Sequence, residues 1–235
     1  MDRVHRQELK HDRFVEQVGH GVEYAAHHRK QTLLITIGAV AALVIGLGIY
    51  WYMQYQTGVR QDALRTAIRN QEAQVGQQPT DFLVTFTSDS EKQTAVAKAW
   101  QQVADQYPGS SEGSIAHYYL GVNAADKGNI VEAEKHFKIV AESGKDSWPS
   151  QAKLTLSSIY QSSGREAEAE KVLRSLINDP SILVSKEQAT LALAKVLSKS
   201  KPAEARKLLE PLRSVPRSAV SRAAITALSE IPATR

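Results

Sequence analysis

Apolar positions along the chain fall into two regimes. Between Leu33 and Met53 they are continuous: LLITIGAVAALVIGLGIYWYM runs 21 residues without a charge. At about 1.5 Å of rise per residue such a helix reaches roughly 30 Å, the thickness of a bilayer's hydrocarbon core. His27, His28, Arg29 and Lys30 precede the run, and Tyr50, Trp51, Tyr52 and Tyr55 stand at its far end, as membrane interfaces favour. A cleaved signal peptide would be shorter and followed by small residues, whereas aromatics and Met53 follow here. After residue 54 the apolar residues recur at helical spacing instead. Ahead of the run, Phe14, Val18, Val22 and Ala25 form a helical stripe weakened by Gly19 and Gly21.

The later pattern repeats. GNIVEAEKHFKIV (128–140) recurs as GREAEAEKVLRSLI (164–177) and as KPAEARKLLEPL (201–212), bringing Ala133, Ala169 and Ala205 into register 36 residues apart. Phe137, Leu173 and Leu209 follow four residues later, then Val140, Leu176 and Leu212. Val96, Trp100 and Val103 form a fainter earlier copy, closed by the helix stop Tyr107-Pro108-Gly109. Each copy has an upstream partner helix, marked by Leu120-Gly121, Leu156-Ser157-Tyr160 and Ala192-Leu193-Val196, with turns at Lys127-Gly128-Asn129 and Ser163-Gly164-Arg165. A single helical hairpin cannot bury its own apolar face, so stacked copies must share a core. Thr57–Gly76 reads as the opening helix, continuous with the membrane span, Gln77–Ser90 as a long connection, and Ala219–Ile231 as a closing helix with Arg217 and Arg222 outward.

The expected fold class is therefore all-α: one transmembrane helix followed by a helical-hairpin solenoid of about three and a half to four repeats. Its domains are an N-terminal cytoplasmic amphipathic segment (1–32), the membrane helix (33–53) and the repeat domain (54–235).

Charge adds an orientation. Three Lys or Arg lie within 20 residues on each side of the span, but Arg29 and Lys30 abut it while Arg60 lies seven residues beyond, which favours an inside N-terminus. Within the span, Gly38, Ala42 and Gly46 share one face, where small side chains let another membrane helix approach. The formal charge of +4 is concentrated near the C-terminus, where residues 195–235 carry nine basic and three acidic side chains. No aromatic interleaves with those cations, so the stacking half of a nucleic-acid site is missing.

Reactive chemistry is sparse. There is no cysteine, hence no thiolate metal site, nucleophile or disulfide. Gly144-Lys145 lacks the glycine (Ile139) and hydroxyl (Asp146) of a phosphate loop. His27 and His28 diverge by about 100° on a helix. His117 and His136 read as packed or exposed residues of repeat helices, and Glu166, Glu168 and Glu170 as solvated charges. No catalytic set, cofactor or metal is expected. The expected function is binding in a concave groove lined by the first helix of each pair, with Asn123, Lys153 and Lys195 as candidate contacts.

The residues Leu120-Gly121, Ala133, Phe137 and Pro108 resemble the tetratricopeptide repeat, although no tryptophan opens the repeats and their period is 36 rather than 34. Together with FVEQVGHGVEYAAHHRK before a single span, they resemble the bacterial family of the ancillary, single-pass repeat subunit of the SecYEG translocon. That resemblance implies an inner-membrane protein with a periplasmic domain, handing emerging polypeptides on with a membrane-bound periplasmic chaperone. It implies translocon subunits, that chaperone and the lipid bilayer as partners, and no nucleic acid. A scaffold for envelope or cell-division complexes and a regulator contacting anionic lipid through the basic C-terminal region are the alternatives.

Overall fold

The computed structural model describes residues 29–76, 84–216 and 218–232. The stripe at Phe14–Ala25, residues 77–83 of the long connection and Arg217 lie outside the described residues. The chain divides into two compact units, residues 1–58 and 59–235.

Helix α1 runs without a break from Arg29 to Glu72. Within the first unit its apolar side chains have no cover: Leu34, Ile35, Val44, Ile45 and Trp51 are all exposed. The same helix is long and apolar enough to cross a membrane.

In the second unit the connection after α1 forms a short parallel pair, β1 (Gln74–Val75) and β2 (Thr85–Phe86), which helical periodicity did not reveal. Hairpins follow in chain order: α2 (Asp89–Gln106), α3 (Ser111–Asp126), α4 (Ile130–Ser143), α5 (Trp148–Ser162), α6 (Glu166–Asn178), α7 (Lys186–Leu197), α8 (Pro202–Leu209) and α9 (Ser218–Glu230). Local chemistry sets these limits. Side-chain oxygens of Ser88, Ser110, Asn129 and Ser185 accept from the third residue onward and cap α2, α3, α4 and α7. Gly128 and Gly164 end α3 and α5 in the left-handed region, at φ 76° and 74°. There Asn129 N donates to Ala124 O and Arg165 N to Tyr160 O, closing paired turns one period apart. Pro211 has no N–H to extend α8, so the expected helix to Leu212 becomes a 3-10 turn over Glu210–Ser214.

The alanine register is where the helices come closest. Ala133, Ala169 and Ala205 are each 0% exposed, and the residues four later, Phe137, Leu173 and Leu209, are equally enclosed. A Cβ built on Gly121 would stand 2.9 Å from the Phe137 ring, so glycine is the residue that admits it. The core is divided. One cluster joins Ala133, Phe137, Leu173, Leu193, Leu209 and Ile231 across α4 to α9. A smaller one joins Ala67 of α1 to Val96, Trp100 and Val103 of α2 and to Ala116 and Leu120 of α3. In this first hairpin Val96 holds the place that alanine holds later, and α1 and α2 approach less closely than the helices of the other pairs.

A charge ladder obeys the same period. Glu134 accepts two hydrogen bonds from Arg165, at 3.2 and 2.6 Å, and pairs with Lys138 at 2.8 Å. One repeat on, Glu170 pairs with Lys201 at 2.9 Å and with Arg174 at 2.7 Å. Hydrogen bonding from Arg165 holds the Glu134 carboxyl below its usual range, and Lys201 does the same for Glu170. At the next step the signs invert to Arg206 and Glu210, and Arg206 turns to donate to the carbonyls of Ile231, at 2.7 Å, and Pro232, at 3.4 Å, beyond α9.

Overpacking a closed position typically costs about 1–3 kcal/mol, whereas surface changes stay within about 0.5 kcal/mol. Ala169→Trp is therefore expected to lower the urea midpoint of the detergent-solubilised chain far more than Glu168→Trp, the neighbour that is 51% exposed. Equal midpoints would refute the register.

Candidate functional site

The first helices of the later pairs, α3, α5 and α7, form a row tied by side chains. Tyr118 on α3 meets Thr155 Oγ1 on α5 at 3.2 Å and accepts from Gln151 Nε2 at 3.2 Å. Gln161, near the end of α5, donates to the Lys195 carbonyl on α7 at 3.4 Å. Aromatic rings continue the tie toward the N-terminal side: Trp100 stacks on Tyr119 at 4.6 Å, and Tyr118 meets Phe137 at 5.3 Å and Trp148 at 5.2 Å. These rings are fixed by hydrogen bonds at their rims, with Trp100 Nε1 donating to Gln71 at 3.1 Å.

The three residues chosen from sequence are not gathered at one point. Lys195 is exposed beside Gln161 at the C-terminal end of the row. Lys153 lies eight residues before Gln161, about 12 Å along α5. It is two residues from both Gln151 and Thr155, a rotation of about 200°, so it faces away from the side that meets Tyr118. It is half-buried, and no ion pair is formed by it or by Lys195 among the described residues. Asn123 turns toward α2, where its amide nitrogen is closed off and unpartnered. Gly38, Ala42 and Gly46 lie on α1 with open space around them.

Two features escaped sequence reading. The turn before α7 is locked by Ser181, whose N–H donates to the Val184 carbonyl at 2.9 Å and whose hydroxyl accepts from Val184 N at 3.1 Å. With Val184 anchored in the core, this turn holds Ile182 out at 96% exposure. Pro180-Ser181 was the available signal.

The other is a histidine pair inside the second hairpin. His117 Nδ1 and His136 Nδ1 lie 3.1 Å apart, so one donates and the other accepts. His136 Nε2 also reaches Glu132 at 3.3 Å. Burial is the main cause holding both imidazoles below the ordinary value of 6.5. Asp105 opposes this for His117 and Glu132 for His136, while Lys135 reinforces it for both, as does each ring's neighbour for His136.

A family model described as a tetratricopeptide repeat-like domain matches residues 26–181, about two-thirds of the chain. The chain belongs to this tetratricopeptide repeat-like family. No curated protein and no solved structure gave a match. The tetratricopeptide repeat-like match begins ahead of the apolar run and ends at Ser181, so it takes in α1 through α6. Beyond it, α7 and α8 keep the repeat register through Ala205 and Leu209. A tetratricopeptide repeat-like stack is a scaffold for protein–protein contacts, so the exposed parts of the first-helix row are its candidate surface.

The histidine pair makes a pH prediction. Because the folded values are depressed, its contribution is complete above the unfolded value of 6.5 and is lost as pH falls from there through the lower folded values. Glu134 and Glu170 act only below their ordinary 4.5, outside that window. Between pH 7 and 5 the thermal midpoint of the native chain should fall further than that of the His117→Gln, His136→Gln double variant, by about 2–4 °C for each kcal/mol involved. Parallel pH profiles for the two proteins would refute the coupling.

Proposed function

We propose that this protein is a membrane-anchored scaffold that captures protein segments on its first-helix row. In this reading it serves as an ancillary subunit of a SecYEG-type translocon, passing emerging polypeptides onward together with a membrane-bound periplasmic chaperone. The observation that carries the reading is the unbroken α1, whose uncharged, uncovered run leads straight into a repeat stack. Such a run is costly to hydrate and matches a hydrocarbon slab in length. Gly38, Ala42 and Gly46 would seat a partner helix in the bilayer. Arg29 and Lys30 at the head of α1 favour an inner-membrane protein with a cytoplasmic N-terminus, a membrane helix at 33–53 and the repeat domain from residue 54 in the periplasm. The first-helix row supports binding rather than catalysis, because its tied aromatics and its free lysines offer a rigid surface with separated positive charges.

Crosslinking in intact membranes followed by mass spectrometry tests the partner. Translocon subunits and a periplasmic chaperone should be recovered; envelope or division proteins in their place would replace this reading with the other scaffold role. Protease added to spheroplasts should digest the domain from Gln54 onward. Digestion only in inverted vesicles would reverse the orientation.

Charge reversal at Lys153→Glu and Lys195→Glu should weaken recovery of those crosslinked partners and leave the thermal midpoint nearly unchanged. Unaltered recovery from the double variant would move the binding surface off these helices.

A further inference from the structure

The loosened first hairpin leaves a cleft of about 290 Å³, lined by Gln71 of α1, Asp89, Lys92, Gln93 and Val96 of α2, and Asn123, Asp126 and Lys127 of α3. It differs from the first-helix row, because α2, the second helix of its pair, supplies half of the lining. Its floor is the buried Val96. On its wall the Asn123 Nδ2 group is shut away from solvent and has no hydrogen-bond partner. A closed, unpaired N–H is costly, and both of its protons seek an acceptor oxygen. Around the cleft stand two acids and two lysines, Asp89, Asp126, Lys92 and Lys127, and none of the four forms an ion pair among the described residues.

This combination selects a ligand class. The balanced charges give no net field to draw a polyanion, an anionic membrane or a cation, but they match a ligand carrying both signs a few ångströms apart. The volume lies just below the range that encloses a drug-sized molecule, which suits a segment laid across the cleft with only part of it inserted. The acceptor that a polypeptide offers at every residue is its main-chain carbonyl.

We propose that this cleft is a second polypeptide site, which takes a short extended segment bearing one basic and one acidic side chain and sets a main-chain carbonyl against Asn123 Nδ2. The small residue between those charges lies over Val96, the basic side chain reaches Asp89 or Asp126, and the acidic one reaches Lys92 or Lys127. This site does not depend on the first-helix row, and its test reads Asn123 rather than partner recovery.

The full chain in lipid nanodiscs, with ¹⁵N in its asparagine side chains, has only Asn70, Asn123, Asn129 and Asn178 to resolve. The blocked peptide acetyl-Lys-Gly-Asp-amide should shift the Asn123 side-chain resonances and leave the other three in place. Asn123→Leu should abolish saturation transfer from protein to peptide while melting at or above the native temperature, since the unpaired amide is gone. Lys92→Met with Lys127→Met should weaken the peptide several-fold. The proposal fails if Asn123 does not respond, if N-methylacetamide at the same concentration shifts it equally, or if either variant keeps the native affinity. A large loss of stability in Asn123→Leu would also overturn it, by showing that the amide was satisfied in the folded chain.

Discussion

Helices can stack in this chain because one position per repeat has almost no side chain. At Ala133, Ala169 and Ala205 the second helix of a pair comes within reach of the first, and a large apolar residue four positions later fills the space that opens one turn along. Gly121 does the same from the opposite helix, clearing room for Phe137. The turns, the caps and the charge ladder all fall into place relative to that contact. Glu134 and Glu170 reach Arg165 and Lys201 only because successive hairpins advance by a constant step. Each such surface pair is worth at most about 1 kcal/mol. Their value is in register, since a slip of one residue would break every rung at once.

The ends of the stack show what happens where the repeating contact stops. At the C-terminal end the ladder reverses sign, and Arg206 spends its donors on carbonyls beyond α9. At the N-terminal end Val96 replaces alanine, the helices stand farther apart, and Trp100 fills part of the gap with its indole nitrogen tied to Gln71. What Trp100 leaves unfilled is the polar cleft beside Asn123.

The alanine register could be read from the chain because it is local and repeated; any window of 36 residues displays it. The long apolar helix was equally plain, being uniform in composition. Features that depend on which residues meet across helices were not. His117 and His136 are 19 residues apart, and nothing in their spacing distinguishes a hydrogen-bonded pair from two surface imidazoles. Asn123 sits on a first helix, as expected, but the rotation of α3 turns it toward α2, because Leu120 and Gly121 claim the core-facing arcs. Lys153 and Lys195 share a row without sharing a location. The two short strands had no legible signal, since two residues cannot display alternation.

Division of the core into two clusters also bears on how the domain comes apart. Helix α3 is the party wall: Ala116 and Leu120 belong to the smaller cluster, while Tyr118, Val122 and Ala125 lean on the larger. Contacts in a stack of this kind pass only between neighbours, so the free energy of opening is graded along it rather than set once for the whole. The side holding Trp100 has the smaller apolar reserve and the wider helix spacing, and it is the natural first foldon to open. A breach there leaves Leu173, Leu193 and Leu209 enclosed, and amide exchange would then proceed as a gradient instead of a single cooperative event.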